Sequence, residues 1–244
     1  MTGTAGVRKI LRFNWPWYAA ALLVTIAVPA LLANSDLSPP WNWLLFAGLG
    51  LADLWLLSSV IVSHVVYDRS ALARGDWLGT APPASATILH FGQDEATAAI
   101  VQRWPHTKRQ TFDLHDPARS GSPSLRRARA LARDAATPAP LDALPLANES
   151  VDLAVLAFAA HEVREASARV ALARELARVI GRRGRVLLVE HLRDGWNLLA
   201  YGPGVFHFLS RSTWCATFAA AGLTIEAESR LTPWVRRFVL RSLP

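Results

Sequence analysis

Two apolar runs dominate the first third of the chain. Trp17 to Ala33 and Trp43 to Tyr67 carry almost no charge, and at about 1.5 Å per helical residue each can cross roughly 30 Å of hydrocarbon. Trp15, Trp17 and Tyr18 stand at the entry of the first run and Trp41 and Trp43 at the entry of the second, where amphipathic rings favour a bilayer boundary. The pattern predicts a transmembrane hairpin within residues 1–67, with helices over about 17–33 and 43–66. RKILR before an apolar stretch also resembles the start of a cleaved signal peptide, but a second apolar run follows after only the short loop Asn34 to Asn42.

Past residue 67 the pattern changes. Residues 68–85 read as a juxtamembrane linker, and residues 86–244 alternate strand-like and helix-like runs, which argues for an α/β fold with a largely parallel sheet. Strands are expected over Thr87 to Phe91, Gln110 to Leu114, Val151 to Phe158 and Arg185 to Glu190. Helices are expected over Glu95 to Trp104, Ser124 to Ala136 and Glu162 to Ile180, the last stopped by GRRG. The aromatic insert Trp196 to Leu209 has Gly202, Pro203 and Gly204 inside it and Gly195 before it, which argues against one regular helix. After a helix over Thr213 to Ala221, the runs LTIEAESRL and WVRRFVLRSL read as an antiparallel hairpin added to the parallel sheet.

Charge orients the hairpin. Arg8, Lys9 and Arg12 precede the first run, Arg69 and Arg74 follow the second, and the loop between holds only Asp36, so both termini and the α/β domain are expected on the cytoplasmic side of a membrane such as the bacterial inner membrane. The whole chain has 26 Lys plus Arg against 19 Asp plus Glu; with an anchor present, that excess points to anionic lipid rather than nucleic acid. Arg126, Arg127, Arg129 and Arg133 share one expected helix, a solvated basic face that a bilayer surface would also suit. The single cysteine, Cys215, excludes an internal disulfide. Asp53, midway along the second run, reads either as a functional group or as a helix-packing group, and Gly48 and Gly50 nearby would let a neighbouring helix or a second subunit approach closely.

Several phrases in order carry a resemblance. Leu144, Pro145, Leu146, Ser150, Val151, Asp152, Leu153 and His161 match a phrase of the form LPFPDxSFDxVxxxxxLHH, and Val179 to Glu190 match xLRPGGxLxLxE. From about Ala86 to the C-terminus the chain resembles the class I S-adenosylmethionine-dependent methyltransferases, of the type 11 kind. The resemblance implies a Rossmann-like sheet, S-adenosylmethionine as cofactor, and a cofactor site at His90, Gly92, Asp94, Asp113, Asp142, Ala143 and Phe158. Of the family's glycine motif after the first strand only Gly92 is kept; Asp94 and Glu95 make that turn anionic. Asp113, at the end of the second strand, is the expected ribose ligand, and Asp142 with Ala143 the expected adenine contact.

Methyl transfer from a sulfonium needs alignment, exclusion of water and, for a protonated acceptor, a base. His161 and Glu162 follow one strand and Glu190 and His191 end another. In open α/β sheets such strand ends face the ligand crevice, which makes His161, Glu162 and His191 the candidate catalytic groups. His207 stands alone in the sequence, and no spacing suggests a metal. Three functions remain: a membrane-anchored methyltransferase for a lipophilic acceptor such as a prenylated quinone precursor or a phospholipid amine, a tethered methyltransferase for a soluble acceptor, and a degenerate methyltransferase fold serving as a scaffold.

Overall fold

The computed structural model describes residues 3–116, 123–129 and 136–243. The chain opens with two long helices, α1 (Ala5–Leu32) and α2 (Pro39–His64), which pack against each other. A widened helical turn, Val65–Arg69, a short helix α3 (Ala71–Arg74) and a 3-10 turn, Asp76–Leu78, lead into the sheet domain. There follow β1 (Ser85–His90), α4 (Thr97–Arg103), β2 (Lys108–Asp113), α5 (Pro123–Arg129), β3 (Thr137–Pro138), β4 (Leu153–Ala157) and α6 (Ala166–Ile180). The remainder is β5 (Arg185–His191), α7 (Gly195–Tyr201), the 3-10 turn Gly202–His207, α8 (Arg211–Ala220), β6 (Leu223–Thr232) and β7 (Val235–Ser242).

Both α1 and the helical run beginning at Pro39 are long and apolar enough to cross a membrane, with mean hydropathies of 1.7 and 2.0. Their bounds differ from the expected ones. Helix α1 starts at Ala5, because the Asp68 carboxylate accepts hydrogen bonds from the Gly6 and Val7 N–H groups (2.6 and 3.0 Å) and so satisfies donors that a helix start leaves open. Helix α2 starts at Pro39, inside the expected loop; proline has no N–H to lose there and its fixed φ suits a first turn. Asp53 accepts a hydrogen bond from the Thr25 hydroxyl of α1 (2.7 Å), the packing role for a polar group between two apolar helices.

The sheet has seven strands in the order β3-β2-β1-β4-β5-β7-β6, parallel except for β7, which runs against both its neighbours. The antiparallel closing hairpin expected from the sequence is present; β3, only two residues long, was not expected. Strand periodicity sorts the core into two layers. Leu89, Ala154, Leu156, Val186, Leu188 and Phe238 face α6 and α8. Ile88, Val155, Ala157, Leu187 and Val189 face α4, α7 and the segment before β1. That second layer includes Trp77 and Leu78, so the stretch read as a linker is folded into the domain. The expected helix from Ser124 is described only to Arg129; its remainder, with Arg133, lies outside the described residues.

The aromatic insert divides as its glycines imply, into α7 and a 3-10 turn, and α7 packs on α2. At the junction Gly202 has a φ of +53°, and a Cβ there would stand 2.4 Å from the Trp55 ring of α2. We expect Gly202→Ala to lower stability by about 1–3 kcal/mol, from left-handed backbone strain together with overpacking, read as a lowered thermal midpoint.

Candidate active site

The C-terminal ends of β1, β2, β4 and β5 lie along one edge of the sheet, and a chain of three cavities follows that edge. The first, a large cavity of about 390 Å³, is lined by Phe158, His161, Glu162, His191, Tyr201 and Phe208 from the domain. Its other wall comes from the apolar helices and the turn after them: Ile10, Phe13, Trp17 and Tyr18 of α1, Leu56, Ser59 and Ser63 of α2, and Tyr67. The second, about 210 Å³, shares Phe91 and Glu162 with the first and is otherwise bounded by groups such as Leu114, Asp116 and Leu141. The third, about 410 Å³, shares Leu114, Asp116 and Leu141 with the second and ends at Asp142.

Three contacts hold α1 against this edge. Besides the Asp68 clamp, Lys9 pairs with Glu95 of the turn after β1, and Arg127 of α5 donates to the Phe13 carbonyl (2.6 Å). Asp68 is itself steadied by His64 Nδ1 at 2.9 Å. No local pattern signals this arrangement, because it links residues more than sixty positions apart.

At the centre of the large cavity is a buried pair. Glu190, fully buried on β5, accepts from the His161 N–H through Oε1 (3.2 Å) and from His161 Nδ1 through Oε2 (2.7 Å). The carboxylate therefore fixes both the turn after β4 and the imidazole, with Nδ1 engaged and Nε2 turned to Glu162 (3.7 Å). Burial lowers the affinity of His161 for a proton, but the charge and hydrogen bond of Glu190, with Glu162, more than offset it, so its pKa is raised above the usual 6.5. For Glu162, burial opposes ionisation, while His207, His161 and Arg164 outweigh it and lower the pKa.

His191 is differently placed from the free base expected of it. Its Nδ1 lies 2.9 Å from the Trp234 carbonyl and 3.2 Å from Asn197 Oδ1, which makes that nitrogen the donor, and its Nε2 faces the Tyr67 hydroxyl at 3.3 Å. Burial drives its pKa down to about 4, so near neutrality it is an uncharged ring that positions Tyr67. Phe158, Tyr201 and Phe208 pack around it at ring-centroid distances of 5.0–5.5 Å. Phe158 itself has a φ of +53°, a strained backbone that a non-glycine residue adopts at about 1–3 kcal/mol, and its N–H is held by the Val189 carbonyl (2.8 Å).

The expected cofactor residues fall into two groups. His90 Nδ1 accepts from the Gly92 N–H (3.0 Å), and Gly92 has a φ of +84°. Among the described residues, His90 Nε2 and His115 Nδ1 are buried without a hydrogen-bond partner, an arrangement that invites a polar ligand. Asp142 lines the outermost cavity, while Ala143 is exposed beside it. Asp94, by contrast, caps the start of α4, its Oδ1 accepting from Ala96 and Thr97 N–H, and Glu95 rather than Asp94 lines the large cavity. Asp113 ends β2 as expected, but one oxygen accepts from the His115 N–H and the other is paired with Arg129, whose side chain lies directly over Gly92.

His207 does not stand alone in space. His161, Glu162 and His207 each direct one ligand-type atom into a group whose members lie within 4.8 Å of one another. Residues 45 and 46 positions apart meet because Arg164 donates to the carbonyls of both His161 and His207 and so ties the two turns together.

No family profile matches the sequence, and no curated protein does. Solved structures do. Mitomycin 7-O-methyltransferase MmcR is 16% identical with a TM-score of 0.57 over 99% of this chain and 73% of that one. The pyocyanin biosynthetic protein PhzM is 18% identical with a TM-score of 0.57 over 99% and 74%. The O-methyltransferase NcsB1 from neocarzinostatin biosynthesis, crystallised with S-adenosylmethionine and 2-hydroxy-5-methyl naphthoic acid, is 20% identical with a TM-score of 0.51, and the match covers 80% of this chain and only 60% of that one. The first two matches extend over nearly the whole chain, α1 and α2 included. In strand order, in the antiparallel seventh strand and in these overlays, the chain has the fold of the class I S-adenosylmethionine-dependent methyltransferases.

Proposed function

We propose that this protein is an S-adenosylmethionine-dependent O-methyltransferase that acts on a hydroxyl acceptor with a substantial apolar portion, and that its two long helices anchor it in a membrane. The observation that carries the reading is the cavity with a His161–Glu190 pair at one side and two apolar helices at the other.

The residues along the strand ends fit the cofactor. A trough runs from Asp142 to the His161 turn, and among the described residues His90 and His115 each offer a buried nitrogen in want of a partner. Asp113 would take the ribose once Arg129 swings off it. Bound there, S-adenosylmethionine supplies an electrophilic methyl group. The chain's own contribution is to place and deprotonate the acceptor: His161 Nε2 takes the hydroxyl proton, Glu190 stabilises the imidazolium that forms, and the aromatic walls exclude water. Phe158, Tyr67, Tyr201 and Phe208 favour a flat acceptor, and the wall of α1 and α2 accommodates its apolar part.

The membrane reading rests on the length and hydropathy of α1 and α2 and on their surface: Trp17, Leu23, Leu31, Trp43, Leu54 and Leu57 are all exposed. Trp196, Leu199 and Phe206 extend that apolar surface onto the domain beside α2, where an interfacial segment would lie. The two matches that include α1 and α2 favour a second reading, in which the helices belong to an acceptor-binding part of a domain with a soluble acceptor.

Transfer of radiolabelled methyl to a total lipid extract, set against transfer to aqueous metabolites, separates these readings. Label is expected in organic-phase products, as a base-stable ether. Label only in aqueous products would leave the second reading. No binding of S-adenosylmethionine by calorimetry, with Asp113→Ala indistinguishable from wild type, would leave the scaffold.

A further inference from the structure

We propose that His161, Glu162 and His207 form a binding site for one divalent transition cation of the zinc or cobalt type. Two imidazoles and a carboxylate converge there on one point. Glu162 Oε1 lies 3.7 Å from His161 Nε2 and 3.5 Å from His207 Nε2, and all three ligand atoms fall within 4.8 Å of one another. A point equidistant from corners so spaced is about 2.4 Å from each, and a closure of a few tenths of an ångström brings it to the roughly 2.0–2.2 Å of bonds from nitrogen and oxygen to zinc. Two imidazoles and one carboxylate are a ligand set of borderline-soft first-row ions, not of magnesium or calcium.

Two further features are those of a supported ligand set. Glu190 binds His161 Nδ1, which fixes the ring and leaves Nε2 as its ligand atom, the outer-shell arrangement that ligating histidines have. Arg164 bonds the carbonyls of both His161 and His207 and so holds the two ligand-bearing turns in register, although its charge works against the ion's. The three side chains border the large cavity, so the remaining coordination positions would open onto the acceptor space.

The ion and the acceptor proton would then compete for the same lone pair on His161. Binding of the ion stands on geometry alone; this inhibitory consequence rests on the O-methyltransferase reading above. In the order of events the metal-free form is the one that accepts the proton, and the occupied form is closed to it.

The test uses the full-length protein in detergent, freed of metal and carrying Cys215→Ser so that the only thiol cannot capture the ion. Titration with Co²⁺ is expected to give visible d–d absorption that saturates at one equivalent, and His207→Ala or Glu162→Gln should weaken binding at least tenfold. Zn²⁺ should displace the cobalt signal and, in a methyl-transfer assay, inhibit the starting protein far more than His207→Ala, each measured against its own metal-free rate. Absent absorption, or binding unchanged in both variants, overturns the site. Normal cobalt binding with no methyl transfer under any condition would instead count against the proposed function and leave the metal site standing.

Discussion

His161→Ala should lower methyl transfer by about 10²–10⁴-fold, the span over which a positioned acid or base acts, with little change in S-adenosylmethionine affinity. The pH profile makes the prediction specific. Glu190 raises the His161 pKa above 6.5, so the neutral, proton-accepting ring is populated only as pH climbs through that raised value, and kcat/KM should rise with it. Glu190→Gln removes the principal cause of the upward shift; the rising limb should move to lower pH while the maximal rate falls, because the imidazolium loses its stabilising charge. A wild-type rate in His161→Ala, or a profile that does not move in Glu190→Gln, would exclude His161 as the base.

Stability should pass through a maximum near pH 6.5, for reasons that lie in two neighbouring histidines of opposite sign. His191 has its pKa depressed from the usual 6.5 to about 4 by burial. The stability tied to its neutral form is therefore complete above 6.5 and is lost as pH falls from 6.5 to about 4, an interval that corresponds to roughly 3 kcal/mol. His161 has its pKa raised, so the stability tied to its charged form is complete below 6.5 and is lost as pH rises through the raised value. Thermal midpoints between pH 4.5 and 8.5 should trace this dome. His191→Gln should flatten its acid side and His161→Ala its alkaline side. An acid limb that is unchanged in His191→Gln would place the titrating group elsewhere.

Much of the fold could be read from the chain because each element satisfied its own local rule. The strands around Leu89, Val155 and Leu187 are short runs buried on both faces, α6 ends at a glycine stop, and the breaks at Gly202 and Pro203 divide the aromatic insert where it divides. What escaped was set by distance along the chain. The contacts between hairpin and domain could not be read from the chain because Asp68, Lys9 and Arg127 bind partners 61, 86 and 114 positions away. His207 looked solitary for the same reason. Strand β3 is two residues long, too short to leave a periodicity. For the candidate site, residue type and strand-end position sufficed to bring His161 and Glu162 to the cavity edge, where the structure has them. Whether His191 would be free or engaged depended on the Trp234 carbonyl and Tyr67, which arrive from opposite ends of the chain.

The wall that α1, α2 and Tyr67 contribute to the large cavity also bears on how such a protein can be inherited and rebuilt. A segment that serves only as an address can be exchanged for any other of equal hydropathy, and recombination between unrelated genes does so freely. On the proposed reading, an exchanged hairpin would still deliver the domain to a membrane while erasing one wall of the cavity proposed to receive the acceptor. If that reading holds, selection acts on the two parts as one unit, and changes of acceptor are to be sought as much in the greasy N-terminal helices as among the polar strand ends.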